Sequence, residues 1–580
     1  MISFSGAAVV LFPIHQHGSS PPLGGRKRRG RISTALLVSA AGALSALTAA
    51  PARAGTFTLS TSSSCSLTAA VNAINAHSGG SSCGYTVGGA DVISVPRGGT
   101  FVSTSQVELH RSATIQAGSG TGTATLSGNM TSNNYFIRLV DLSGSNSMAV
   151  TIQDVTINRT SGGTSTNGVY AQHVTLTLNR VRVTGFGFGG VQAYNSGLNV
   201  NDSIIDNNTS VGDGGGIWFD IDVGDAICNA GHSGDLRVKR SQISNNGAAN
   251  SGGGIYYNVN QVCGETDVWN STISTNTASD GGGIAQVGGQ YFFLKGATVA
   301  FNTAINSGGG AVTIPFGLGV KLQGSIMGQN SAPSGPDISG QLNELTNSLL
   351  GSTSGMENDV DQIGSGVYFH DTSPNLDPTL RDLGGPNHTK VHRPMYPTFA
   401  LDAFNLNSGP LADEMQDQRQ VLRPQSNGGN LMVDMGAFES SLLEAESIIV
   451  AGRSSVPFVV VNDGNASAGA GMNLQATQTG QFVTFSSGAV LPSGTYHVRI
   501  GYRKGPSAGQ FVFQAGPSTT GPWITFPTQN ARASTASWTT VDLGNITAST
   551  TSMKFFKFSV PSGATSPFQI FPDFIEFTKQ

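Results

Sequence analysis

The sequence predicts an all-β protein: a right-handed parallel β-helix (a solenoid) followed by a C-terminal jelly-roll β-sandwich. Three observations carry this. One phrase recurs through the middle of the chain, no copy of it contains a helical run of apolar residues, and beyond residue 440 the pattern changes to alternating aromatic strands.

The first 54 residues read as a signal peptide. Arg26-Lys27-Arg28-Arg29-Gly30-Arg31 is a positive n-region, an apolar stretch spans 35–50, and Ala52-Arg53-Ala54 is a small-x-small site, so cleavage is predicted after Ala54. The expectation is export to the cell surface or medium, by ordinary secretion in preference to the twin-arginine route. No apolar run long enough for a spanning helix follows. The leader holds six Lys/Arg and no acid, so 24 basic residues then face 34 acidic ones, a net charge near −10 with no basic run. That balance excludes a nucleic-acid partner.

Residues 55–100 are expected to cap the solenoid, with Leu67, Ala70, Val71 and Ile74 spaced as one face of a short helix. Residues 101–345 form the coils. Ser203-x-Ile205-x-x-Asn208 followed by Gly214-Gly215-Gly216-Ile217 recurs from Ser241 and Ser271. It fades through Ala297-x-Val299-x-x-Asn302 to Ser325-x-Met327-x-x-Asn330. The Gly triplets begin at 214, 252, 281 and 308, giving repeats of 38, 29 and 27 residues. Coils stacked about 4.8 Å apart would align the Ile residues in an interior column and Asn208, Asn246, Asn276, Asn302 and Asn330 in a second column at a turn. The Gly triplets suit a bend needing positive φ and close backbone approach. Only 11% of residues are charged, against about 25% in typical chains.

The four cysteines suggest disulfides in an exported chain. Cys228 and Cys263 follow the Gly bends of adjacent coils, which pairs them with each other and leaves Cys65 with Cys83. A metal site is the rival reading, but no C-x-x-C is present.

Cys65-Ser66-Leu67-Thr68-Ala69-Ala70-Val71 with Cys83 and Asp91-Val92-Ile93 resembles the N-terminal CSLREA motif of bacterial surface β-helix proteins, departing from it at Thr68 and Ala69. The region Asn375-Leu376-Asp377-Pro378, Leu383-Gly384-Gly385-Pro386, Asp417-Gln418-Arg419, Arg423-Pro424 and Asp434-Met435-Gly436-Ala437-Phe438-Glu439 resembles the choice-of-anchor Q region of such proteins. Asp377, Asp402, Asp417, Arg419, Arg423, Asp434 and Glu439 could do acid/base work; the reading adopted is a buried ion-pair network in a segment, 346–440, that closes the end of the solenoid.

Residues 442–580 alternate as a sandwich, with strands such as Phe482-Val483-Thr484-Phe485 and Phe574-Ile575-Glu576-Phe577. Leu443-Glu444-Ala445-Glu446, Leu491-Pro492-Ser493-Gly494-Thr495-Tyr496 and Asp573-Phe574-Ile575-Glu576-Phe577 resemble carbohydrate-binding modules of the family 6 and 35 type. The resemblance implies a structural Ca²⁺ held by Glu444, Glu446 and Asp573, suitable as oxygen ligands. It also implies sugar contacts by Trp523, Trp538, Tyr502 and Asn465.

In the coils the acids Asp213, Asp220, Asp222, Asp225, Glu265 and Asp267, with Asp235, Asp280 and His232, lie around insertions after the Gly bends. They are weak catalytic candidates, since Asp in Gly-rich loops is usually a turn residue. Two functions follow: non-catalytic binding of a polysaccharide or surface glycan, or a polysaccharide lyase or glycoside hydrolase working in a β-helix groove. Fold alone does not choose between them.

Overall fold

The computed structural model describes residues 56–579 apart from 61–64, 78–82, 84–90, 131–134, 160–165, 223–233, 260–265, 290, 384–385, 395–397, 401–403, 406–415, 421–422, 424–431, 440–441, 446–448, 467–469, 492–493 and 549–552. The leader and its cleavage site therefore lie outside the described residues, as do Cys228, Cys263, Asp225, His232, Glu265, Asp402 and Glu446.

Three parallel sheets wrap one apolar interior. Sheet one has twelve strands, from Thr56–Thr58 to Gly364–Ser365; sheet two has eleven, from Thr100–Ser103 to Phe369–His370; sheet three has nine, from Val107–Leu109 to Ile338–Ser339. A coil visits them in turn: Gly197–Asn201 in sheet one, Ile204–Asp206 in sheet two, the short strand Thr209–Ser210, then Ile217–Ile221 in sheet three. This is a parallel β-helix, and the regular secondary structure of the described residues is nearly all strand.

The predicted columns are present. Ile205 pairs in register with Ile243, Ile243 with Ile273, Ile273 with Val299 and Val299 with Met327, and each is fully buried. The amide of Asn208 donates to Asn246 at 3.1 Å, Asn246 to Asn276 at 3.0 Å, Asn276 to Asn302 at 2.9 Å and Asn302 to Asn330 at 2.9 Å. Each Oδ1 also accepts the backbone N–H of the Asn one coil earlier, which satisfies the bent backbone inside the wall. The serines of the phrase form a third column that was not anticipated: the N–H of Ser203 donates to Ser241 Oγ and that of Ser241 to Ser271 Oγ.

The Gly triplets divide the expected work. Only the first of each is left-handed, with φ of 66° at Gly214 and 71° at Gly252. At the second, a Cβ on Gly215 would lie 2.4 Å from the carbonyl oxygen of Gly247 in the next coil, so close approach is what excludes a side chain there.

At the N-terminal end the helix Leu67–Ala76, capped by Ser66, buries Leu67, Ala70, Val71, Ala73 and Ile74 against the first coils. Cys65 and Cys83 form the expected disulfide beside it. At the other end the first part of the segment expected to close the solenoid does so, with Val360, Met356, Ile363 and Tyr368 packed on the end of the core, while the stretch from Leu376 onward takes a different course. It doubles back along the outside of the coils: Gln329 receives Leu376 N–H, Ser274 meets His392, Thr272 donates to Gln418, Asn270 bonds both Gln416 and Arg423, and Asp202 accepts from Gln420. It is held there by packing of Leu376, Ala400, Val433 and Met435 on Ala300, Ile326 and Leu349, beside the polar partners on the outer face of sheet two and at its corner. The expected ion pairs are within it, Arg423 with Glu439 at 2.7 Å and Arg419 with Asp417 at 2.6 Å, all four groups buried.

The C-terminal region is antiparallel. Leu442–Glu444, Pro572–Lys579, Gly494–Lys504 and Ser537–Ala548 form one sheet, and a six-stranded sheet built on Phe482–Leu491, Met553–Ser559 and Gln510–Gly516 forms another. Val498, Ile500 and Ile575 of the first join Phe485, Phe511, Phe513, Phe556 and Phe558 of the second in one core.

Candidate functional site: an aromatic and acidic groove on sheet three

In the sheet-three strand Ile217–Ile221 the residues alternate inward and outward, so Ile217, Phe219 and Ile221 are buried while Trp218 and Asp220 face out. Parallel register then turns outward positions into rows along the rod. One row reads Tyr170, Gln192, Trp218, Tyr256; the next reads Gln172, Tyr194, Asp220, Asn258. Trp218 stacks with Tyr194 at 6.2 Å between ring centroids and with Tyr256 at 6.4 Å, the latter pair 3° from parallel. Tyr135 and Tyr170 stack at 4.2 Å nearer the N-terminal end. Tyr135, Tyr170, Phe188, Gln192, Tyr194, Asp213 and Trp218 line a groove of about 490 Å³.

Three of the predicted acids come together here. Asp213 precedes the Gly bend on the corner side of Trp218 and accepts the backbone N–H of Ser251 at 3.0 Å. Asp220 stands two residues beyond Trp218, about 7 Å along the strand, and accepts from Asn258 at 3.2 Å. Asp222 accepts the hydroxyl of Tyr194. Burial, reinforced by the negative charges of Asp222 and Asp213, pushes the Asp220 carboxyl up to about 6. Burial also raises Asp213. Tyr256 is pushed up to about 12 by burial and by the negative charges of Asp213 and Asp220.

The other acids separate. Asp267 faces out from sheet one, paired with Lys295 at 2.8 Å, and Asp235 pairs with Arg237 at 2.7 Å. Asp280 accepts from Ser307 and Asn306 on the short-strand corner. Grouping Asp267 with Asp213 and Asp220 is therefore corrected: a position after the Gly bend does not fix which sheet a residue reaches. The aromatic row was missed altogether. Its signal was present, since Trp218 and Tyr256 occupy the outward place directly after Gly-Gly-Gly-Ile.

In the sandwich, Trp538 and Asn465 converge. The indole N–H of Trp538 donates to Asp463 at 2.8 Å, and Asn465 donates to the same carboxylate at 3.0 Å. The Trp538 hydrogen bond holds the Asp463 carboxyl below its usual range. Trp523 stands on the other sheet, its ring 5.6 Å from Lys557 Nζ. Tyr502 is corrected: it is 4% exposed, edge-on to Phe511 in the core, and offers no face to a sugar. Asp573 is buried at 4% exposure, and its carbonyl accepts Ala445 N–H, which sets the first and last strands side by side. Glu446 lies outside the described residues, and Glu444 is placed in its backbone alone. Among the described residues no three His, Cys, Asp or Glu side chains gather as a metal site.

No family model and no curated protein matches the chain. Among solved structures it is similar to a Paenibacillus xanthan lyase, at 18% identity over 26% of this chain and 14% of that one, TM-score 0.21. It is also similar to the carbohydrate-binding module of Cellvibrio mixtus lichenase 5A in complex with cellotriose, at 16% identity over 24% of this chain and 96% of the module, TM-score 0.18. A third, TmCBM61 in complex with β-1,4-galactotriose, matches at 17% identity over 24% of this chain and 91% of that one, TM-score 0.18. The chain thus covers about a seventh of the xanthan lyase.

Proposed function

We propose that this is an exported glycan-binding protein that holds a polysaccharide along sheet three of its β-helix and uses the C-terminal sandwich as a second point of contact. The observation that carries the reading is the stack of Tyr194, Trp218 and Tyr256 across two adjacent rows, whose near-parallel rings lie beside carboxylates and amides. Aromatic faces cover the apolar faces of pyranose rings, while the polar neighbours bond the hydroxyls around the ring edge. Repetition of the rings from coil to coil suits a polymer better than a single sugar. In the sandwich, Trp538 with Asp463 and Asn465 offers the same chemistry on a smaller scale. Glu444, Glu446 and Asp573 would hold a Ca²⁺ that ties the first strand to the last.

The test is retention of the full chain by insoluble polysaccharides in native affinity gels. Trp218→Ala should weaken retention by at least about tenfold, as expected for loss of an aromatic anchor. Unchanged retention of that variant would move binding away from the groove.

A further inference from the structure

Resting on that reading of the groove, we infer that the same site hydrolyses the glycosidic bonds of a neutral polysaccharide, with Asp220 as the acid and Asp213 as the base on the opposite side of Trp218.

The first support is position. Trp218 and Asp213 line the groove, Asp213 on the corner side, and Asp220 lies two residues beyond Trp218 on the same outward face of the strand. A sugar ring seated on the indole would therefore have a carboxyl group at each edge. The second support is chemistry. Two carboxyl groups sharing a partly buried site repel each other when both are ionised, so one keeps its proton near neutrality while the other does not. Asp220, raised to about 6 by burial and then by the charges of Asp222 and Asp213, is the group that holds its proton to the higher pH.

In the reaction Asp220 gives its proton to the bridging oxygen as the bond from that oxygen to the anomeric carbon breaks. Water adds to the anomeric carbon, and Asp213 takes the water's proton. One glycoside and one water become two shorter sugars, and a proton passes back from Asp213 to Asp220 through solvent to restore the starting state. No other reactant is required.

Charge selects the substrate class. Among the described residues, the strands of sheet three hold a single Lys or Arg, Arg138, which is paired with Glu108 at 2.6 Å. A uronate polymer would meet the carboxylates of Asp213 and Asp222 as like charges, which a neutral polymer would not. The groove is built for uncharged sugars.

The experiment incubates the purified full chain with xylan, laminarin, galactan and mannan, with polygalacturonate as the acidic control, and follows reducing ends and unsaturated-product absorbance. The expected result is reducing ends from at least one neutral polymer, none from polygalacturonate, and no unsaturated product. The rate should fall about tenfold per pH unit above the Asp220 value. Asp220→Asn should lower it by about 100-fold or more while near-UV circular dichroism stays unchanged. No reducing ends from the neutral polymers, or an Asp220→Asn variant with undiminished rate, would overturn the inference. Retention on a neutral polymer without cleavage would sink hydrolysis alone and leave the binding reading standing; absence of both would sink the two together.

Discussion

At Asn330 the buried amide column meets a carboxylate. The side chain of Asn330 donates to Asp337 Oδ1 at 2.9 Å, where every earlier level has another asparagine. Burial pushes Asp337 up to about 6, because the ionised form has lost water. A raised acid binds its proton more tightly in the folded state, so its stabilising share is complete below about pH 4 and is lost as pH rises through about 6. Asp337→Asn keeps the acceptor and removes the charge; it should raise stability at pH 7.5 by about 1–3 kcal/mol and change little at pH 4, as measured by urea unfolding at both values. Within the column the opposite change is costly. Asn276→Leu strands both donors of Asn246, and a loss of about 2–4 kcal/mol is expected by the same assay.

The flanking segment is held to the coils by an apolar cluster of Leu376, Ala400, Val433 and Met435 on Ala300, Ile326 and Leu349 and by polar contacts, and its largest fully buried side chain is a cation. Arg423 is enclosed by Glu439, the carbonyls of Asp434 and Gly436, and Asn270 of the β-helix. Arg423→Ala leaves Glu439 charged and buried, and should cost about 3–5 kcal/mol and expose the segment to protease. The more exposed Arg180 offers the contrast: removing it from its pair with Asp154 should cost under about 1 kcal/mol. His392 pins the same segment, its Nδ1–H directed at the Asp377 carbonyl and its Nε2 at the Ser274 hydroxyl, with its ring against Phe301. Burial depresses it to about 4. The unfolded chain takes up the proton first, so this contact is fully stabilising above about pH 6.5 and is lost as pH falls toward 4. Proteolysis of the segment should accelerate across that window, and His392→Gln should flatten the dependence.

Across the whole molecule the two titrations run in opposite senses between about pH 4 and 6, so Asp337→Asn should unmask the loss of stability on acidification that His392 imposes. The sandwich is a separate cooperative unit in calorimetry if its core folds alone, and a chelator should lower its transition where Glu444, Glu446 and Asp573 share a Ca²⁺; an unchanged trace would remove the ion. Much of the architecture was legible because a solenoid converts local sequence into long-range contact: each coil touches only its neighbours, so Ile205, Ile243 and Ile273 had to align once their repeat was seen. The cap helix was legible from its 3.6-residue period for the same local reason. The site was legible only in part. Sequence placed Asp213, Asp220 and Asp222 among the insertions but could not separate them from Asp267, because the sheet a residue faces depends on where its coil turns. It also could not route residues 376–439, whose partners lie as far as 218 positions away, from Asp202 to Gln420, outside any repeat. The chain by itself determined the coil, its columns and the sandwich through periodicity. Only the tertiary structure decided which rows meet at the groove and which face the flanking segment covers, since both are set by the docking of surfaces that no local period encodes.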